Sequence, residues 1–530
     1  MRNHKTFESP LPSIAMIGMG YAGTWLEIYL LDQATQDMTI YEIETVQRRI
    51  GGGIAYGECA EIHQVNLPPE RMFGPHGRQQ DYIEWINSAD RSQWPESFRK
   101  ALGTAQITAG SGTFPRGLFR HYCLDRLNEA KARAAARGLK INCVPVMAEA
   151  VAIDESGPRA VVHLSAMLND CGKDAHVMNV DNGDGNCVVA DVWIAATGHG
   201  PPMIAAFMKN VVQSERVVID PWCPRVSAIM DARDPNESIL YIGTGMTTYD
   251  LIMIDEQRGH KGRKVMISRH GDLHFTYKRG DVFKLKNAEV PEAFAKATTR
   301  QELLQGKPGE YAGALEIFAR LTSPVAEGGL GMSSEDVLLA WQVHIPKLLA
   351  NPPETDVIAL FRHKTVINTR CIGIAPEVGA ALDRAFAGGL EMWSGDVFDM
   401  EDRGDGIYVD CSHMVDGTPR RETIRFDRVY SGLGMSNDFN FIKERVPLWH
   451  SIIETNCFTQ PHRFGGVKAE AGGKLPGARC GFVAGMPLSG TRSERGWMPT
   501  ASGSVISIRT GLPAIASGSR IRSRARLAEE

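Results

Sequence analysis

Two glycine clusters carry the chemistry that can be read first. Gly18-Met19-Gly20-Tyr21-Ala22-Gly23 follows the apolar run from Ser13 to Ile17, and Gly243-Thr244-Gly245-Met246-Thr247-Thr248 follows the run from Ser238 to Ile242. A G-x-G turn between a strand and a helix suits a pyrophosphate. Its first glycine bends the chain tightly, its second lets the backbone approach phosphate oxygens, and a third lets the helix pack closely on the strand. The amides at the start of the helix then face the anion. The candidate contacts are therefore Gly18, Gly20, Tyr21, Ala22 and Gly23 in the first cluster, and Gly243, Gly245, Met246 and Thr247 in the second. Thr248 stands where the second cluster would place its third glycine.

The residues roughly 20 positions downstream separate the two sites. After the first turn, a strand from Met38 ends on Glu42, whose carboxylate can accept hydrogen bonds from ribose hydroxyls. After the second, the strand from Lys264 ends in Ser268-Arg269-His270. A cation there removes repulsion against a ribose 2′-phosphate and can bind it, and Ser268 adds a hydroxyl. Two sites imply two different dinucleotides. The economical arrangement is FAD at the first and NADPH at the second, with hydride passing from nicotinamide to flavin.

Positioning these turns requires two βαβ units, one near each cluster. The expected fold is α/β, with two Rossmann-like dinucleotide-binding domains and a helical insertion. The first part of the FAD-binding domain is expected over 1–230 and the NADPH-binding domain over 231–424, with the insertion at about 280–350. The C-terminal part of the FAD-binding domain and a basic tail are expected over 425–530. A late apolar run, Gly481 to Ala484, precedes Gly485, a further candidate for the flavin site. Lys278, Arg279, Lys284 and Lys286 form a basic cluster, read as a solvated face or an attractor of an anionic substrate.

Composition narrows the class. The 530 residues carry 58 Lys+Arg against 62 Asp+Glu, a formal charge of −4, which disfavours nucleic acid as a partner. Ten cysteines are scattered without a CxxC pair or metal-ligand spacing, which suits a reducing, cytoplasmic setting and gives no case for a metal. No apolar run approaches the ~20 residues that span a bilayer. P-loop, H-E-x-x-H and G-x-S-x-G motifs are absent from the sequence. Oligomeric state leaves no trace in it.

Further segments resemble the FAD/NAD(P)-binding, two-dinucleotide-domain flavoproteins, a superfamily that includes N-hydroxylating flavin monooxygenases. They are Gly51-Gly52-Gly53-Ile54-Ala55-Tyr56-Gly57, His63-Gln64-Val65-Asn66-Leu67-Pro68, Pro115-Arg116-Gly117-Leu118-Phe119 and Ser268-Arg269-His270-Gly271. Asp191-Val192-Trp193-Ile194-Ala195-Ala196-Thr197-Gly198-His199 is similar to the D-x3-(L/F)-ATG-(Y/H) signature of the N-hydroxylating enzymes, with Ala195 in place of Leu or Phe. The resemblance places Tyr56, Asn66, Thr197 and Gly198 near the flavin. It makes Asn66 the candidate catalytic residue, through its amide, or else the holder of a Pro-rich turn. Arg116 would contact FAD phosphate or pair with a carboxylate, and the ATG segment would serve substrate chemistry or merely link the two domains.

The reaction that the resemblance implies is NADPH-consuming monooxygenation through a flavin C4a-hydroperoxide. O2 is the co-substrate, and the oxygen acceptor is a small amine or amino acid, with aspartate one candidate. The alternatives are a flavoprotein reductase that hands electrons to a small molecule or partner protein, and a non-catalytic flavin-binding protein.

Overall fold

The computed structural model describes residues 6–489 except 73, 75–79, 93, 109–110, 166–177, 180–185, 223–224, 275, 277–299, 308, 333–336, 338–372, 437, 462–466, 470–473 and 484–487. Gly485, the Lys278–Lys286 cluster and most of the expected helical insertion lie outside these residues. Within 280–350 the described elements include helices Arg300–Gln305 and Ala314–Thr322, with a two-strand ladder between them, Gly306–Lys307 against Tyr311–Ala312.

The first unit begins with β1 (Ser13–Ile17), α1 (Tyr21–Gln33) and β2 (Met38–Glu44). The short α2 (Gly53–Gly57) and the long α3 (Arg116–Ala136) come next. Then follow β3 (Ile141–Met147), β4 (Met178–Asn179) and β5 (Val192–Ala195). Every residue of β1 and β2 is buried, as expected of parallel strands covered on both faces. Helix α1 lies between this sheet and α3, which is why Trp25, Leu26, Ile28, Leu30 and Leu31 are all buried and no single polar face emerges.

The second unit is built from β6 (Val217–Val218), β7 (Ile239–Ile242), α4 (Met246–Gln257) and β8 (Lys264–Ser268). It continues with α5 (Pro376–Ala387), the antiparallel meander β9 (Leu390–Asp402), β10 (Ile407–Val415) and β11 (Thr418–Phe426), and then β12 (Arg428–Ser431). Its sheet runs β6-β12-β7-β8-β9-β10-β11, parallel from β6 to β9 and antiparallel beyond. The chain then returns, and β13 (Gly481–Val483) completes the first sheet in the all-parallel order β13-β5-β1-β2-β3-β4.

These pairings move both expected boundaries. β6 lies within the expected 1–230 segment and β12 within the expected 425–530 segment, yet both belong to the second sheet. The chain crosses near residue 200 and recrosses near 434. The two crossings run side by side, with Gly200 N donating to Ser436 O (3.2 Å), Ser436 N to Pro201 O (2.9 Å) and Met203 N to Gly434 O (2.9 Å). The two strands that lead into them are tied in the same manner. Asp191 Oδ2 accepts from Ser13 N (2.8 Å) and Ser13 Oγ (3.2 Å), while Asp427 Oδ2 accepts from Ser238 N (2.8 Å) and Ser238 Oγ (2.7 Å). Among the described residues no helix is long and apolar enough to cross a membrane.

Candidate functional site

The first glycine turn sits at the carboxyl end of β1, in contact with the crossing segment. Gly18 has φ +95°, and a Cβ built there would stand 2.4 Å from Ala196 O. A Cβ on Gly23 would stand 2.1 Å from Gly18 O, so the helix packs onto the turn only because no side chain intervenes. At Gly20 the neighbour is another glycine: a Cβ would lie 3.0 Å from Gly53 Cα. Gly53 is thereby explained, since two backbones pass each other beside the turn, whereas a Cβ on Gly51 would meet Leu124 Cγ at 2.8 Å and one on Gly52 would meet Gly57 N at 2.8 Å. Gly20 caps α1 without a side-chain hydrogen bond, and no acidic residue stands in the helix's first turn, which leaves its N-terminal end fit for an anion.

Glu42 is not the acid at the strand end. β2 runs two residues further, to Glu44, whose Oε2 accepts from Met19 N inside the turn (2.9 Å) and whose Oε1 accepts from Thr45 N (2.7 Å). Glu42 faces the same side one pleat deeper, where Lys131 Nζ of α3 donates to it at 2.5 Å and also lies 3.4 Å from Glu27.

Glu27, Glu42 and Cys143 place one ligand atom each within 4.8 Å of one another, but the Lys131 ammonium already supplies the positive charge. Burial, with the Glu42 charge beside it, pushes the Glu27 carboxyl up to about 8. The folded chain therefore holds a proton that the unfolded chain releases above its ordinary carboxylate range. The stability this group contributes is complete below pH ~4.5 and drains away as pH rises through 8. Glu27→Gln keeps the neutral shape, so its advantage over wild type should open above pH ~4.5 and level off above 8, at on the order of a few kcal/mol. Denaturant titrations at pH 5, 7 and 9 check this, and a variant less stable than wild type at pH 9 would contradict it.

The second turn repeats the first with one substitution. Gly243 has φ +102°, and its built Cβ would meet Gly432 O at 3.0 Å. The missing third glycine is made good elsewhere. Thr248 Oγ1 donates to Gly243 O (2.8 Å), and the space for it comes from Gly432, where a Cβ would stand 2.1 Å from that hydroxyl. Gly245 caps α4 without a side-chain bond, no acid lies in the first turn, and a Cβ at Gly245 would have nothing within 4 Å. Gly245→Ala should therefore leave the melting temperature and flavin content unchanged while weakening NADPH by about tenfold or more, because the methyl occupies the approach of a pyrophosphate. Calorimetric titration with NADPH measures this, and unchanged affinity would place the phosphates elsewhere.

At the end of β8, Ser268 Oγ accepts from Thr244 Oγ1 (3.1 Å) and Gly271 N (3.2 Å). Arg269 is exposed, and among the described residues its side chain has no carboxylate partner. Tyr21 and Tyr56 pack on each other (6.2 Å between ring centroids) and on Phe119, as part of an aromatic cluster beneath the first turn. Ala22 lies in the first turn of α1, and Thr247 in that of α4. Thr197 Oγ1 accepts from Trp449 Nε1 (3.3 Å), and Gly198 has φ +71°. Both lie on the crossing segment immediately after β5.

Asn66 reaches across to the other unit: its Nδ2 donates to Met246 Sδ at 2.9 Å, at the first residue of α4. Arg116 is committed to a carboxylate and does not stand free for a phosphate. Its Nη1 and Nη2 donate to Asp250 Oδ2 (2.8 Å) and Oδ1 (3.1 Å), and its Nε donates to Gln64 O (3.2 Å). His63 Nδ1 accepts from Ala60 N (3.2 Å), so its Nε2 is the protonated nitrogen and donates to Asp250 O (3.2 Å). Asp250 escapes sequence reasoning because nothing local marks it, and His63 stands in the sequence only as the first residue of the His63–Pro68 segment, with no role attached. Glu44 was visible as a second acid two residues after Glu42, but only the length of the strand tells which one reaches the turn.

Residues 15–199 match the family model described as FAD-NAD(P)-binding. No curated protein matches the chain by sequence. The solved structures that are similar across nearly the whole chain include three hydroxylases or monooxygenases. The reduced form of the Pseudomonas aeruginosa ornithine hydroxylase has 12% identity, covering 89% of this chain and 91% of its own, with a TM-score of 0.50. The Kutzneria sp. 744 ornithine N-hydroxylase, with reduced FAD, NADP+ and L-ornithine, has 13% identity, coverage of 90% and 92%, and a TM-score of 0.50. The L-lysine 6-monooxygenase of Pseudomonas syringae has 12% identity, coverage of 90% and 92%, and a TM-score of 0.50. With one parallel and one mixed sheet, each carrying a glycine turn, and a match to the FAD-NAD(P)-binding model over the first of them, the chain has the α/β fold of the two-dinucleotide-domain flavoproteins.

Proposed function

We propose that this chain is an FAD-dependent, NADPH-consuming monooxygenase that hydroxylates the nitrogen of a small amine or amino acid, aspartate being one candidate. The observation that carries the reading is the pair of uncapped helix N-termini behind G-x-G turns, with Glu44 against the first turn and Arg269 beyond the second. FAD would take the first, its pyrophosphate at the start of α1 and a ribose within reach of Glu44. NADPH would take the second, its pyrophosphate at Gly245 and its 2′-phosphate at Arg269. The flavin, once bound and reduced, supplies the activation of O2 and the transfer of one oxygen atom to nitrogen. The chain's part is to hold the nucleotides in place, exclude water and present the amine as its neutral nucleophile. Asn66 would use its amide at the seam between the sites. The neighbours named as ornithine and lysine hydroxylases support an amino-acid amine as the acceptor, and the scattered thiols fit a cytoplasmic setting.

The test is anaerobic mixing with NADPH, followed by admission of O2 in the presence of ornithine, lysine, aspartate or simple diamines. Bleaching of the flavin and a product heavier by one oxygen atom are expected with one of them. Release of all electrons as hydrogen peroxide with every amine would overturn the reading in favour of a reductase.

A further inference from the structure

Four side chains of the first unit converge on the second around the helix that starts at its glycine turn. Asn66 holds Met246, the first residue of α4, and the Arg116 fork and His63 Nε2 hold Asp250, one turn further along. Thr113 Oγ1 adds a bond to Glu377 Oε2 (3.0 Å) in the first turn of α5. Arg116, Asp250 and His63 are 9%, 4% and 3% exposed, so the pair is shielded from solvent and bidentate. The Trp222 ring closes the cluster, 5.9 Å from the centroid of the His63 ring and 5.9 Å from the Arg116 guanidinium carbon. A planar guanidinium forked onto both carboxylate oxygens fixes orientation as well as distance, which a lysine or a single hydrogen bond would not.

Helix α4 is also the element whose N-terminus would face the second pyrophosphate, while α3, which begins with Arg116, packs against α1 behind the first turn. Resting on the proposed function, we infer that the Arg116–Asp250 pair is a positioning device that sets the separation of the two nucleotide sites, and so the approach of the nicotinamide to the flavin. Arg116 acts through Asp250 and touches neither nucleotide. Its guanidinium and the Asp250 carboxylate form a fixed strut between the two units, in addition to the neighbouring bonds of Asn66, His63 and Thr113 and the two crossings near residues 200 and 434.

Asp250→Asn keeps the shape of the side chain and removes the charge that grips the fork. Misplacement by about 1 Å at a reacting centre lowers rates by about 10²-fold. The limiting rate of anaerobic flavin reduction at saturating NADPH should fall on that scale in the variant. Flavin content and the dissociation constant for NADPH should stay near wild type, and reduction by dithionite should be unaffected. Hydrogen exchange of the apo-protein supplies a second readout, with faster exchange expected in 60–66 and in the first turns of α4. Arg116→Lys, which retains charge without the fork, carries the same test should Asp250→Asn fail to fold. An unchanged limiting rate, or a loss confined to NADPH affinity, overturns the inference. If wild type itself is not reduced by NADPH, the functional reading falls. The strut is then judged on exchange alone, and unaltered exchange in both variants rejects it.

Discussion

Gly18→Ala is expected to yield a chain without a folded first unit and without flavin. At φ +95° a side chain forces the backbone into a region that costs L-residues roughly 1–2 kcal/mol. The added methyl would also stand 2.4 Å from Ala196 O, a backbone atom that cannot swing aside. Moving it means parting β1 from β5, since Ala196 N also donates to Ile17 O at 2.7 Å. Overpacking of this kind adds about 1–3 kcal/mol, so the total is a large share of a typical stability of about 5–15 kcal/mol. Gly20→Ala is the instructive contrast. Its methyl meets Gly53, at 3.0 Å from Cα and 3.4 Å from N, and φ is ordinary at −65°, so the protein should fold yet lose much of its flavin because the phosphate approach is filled. Far-ultraviolet circular dichroism and flavin absorbance of the purified variants decide the matter. A Gly18→Ala protein with wild-type melting and full flavin would show that the turn does not hold the first nucleotide.

Arg269→Ala is expected to abolish the preference for NADPH over NADH. A charge-assisted contact to a phosphate contributes about 1.5–3 kcal/mol, so kcat/KM for NADPH should drop by roughly 10–100-fold while that for NADH changes little. The residue is exposed at the end of β8, and its backbone carbonyl takes a bond from Ser394 Oγ (3.4 Å) that does not depend on the side chain, so folding should be unaffected. Initial rates of flavin reduction with each nucleotide measure the ratio. Equal losses with both would mean that Arg269 does not read the 2′-phosphate.

Both turns were legible because a glycine at each step is a steric statement that survives without knowledge of the fold. Thr248 reads as a departure only until Gly432, 184 residues away in the chain, is seen to make room for it. Glu42 and Glu44 share a face, so alternation alone assigns them equally to the ribose, and only the observed end of β2 separates them. The expected boundary at 425 falls before the strand Arg428–Ser431, whose buried Val429 and Tyr430 mark a covered strand without telling which sheet covers it. Arg116 had two readings of equal weight in the sequence, and its partner lies 134 residues away.

The matched Asp191–Ser13 and Asp427–Ser238 ties have a consequence for strand alignment. Hairpins set the register of antiparallel neighbours through their turns, whereas parallel strands joined by long crossovers have no such ruler. β1 and β5 are separated by most of the first unit, and β7 and β12 by most of the second. A slip of one residue would turn every core side chain to the wrong face and carry Ala196 away from Gly18. In each unit an aspartate just before the later strand grips the backbone amide and hydroxyl of a serine at the start of the earlier one. Each unit thus carries its own alignment pin, at the end of the sheet opposite the glycine turn, where it can fix the strands without standing in the nucleotide's way.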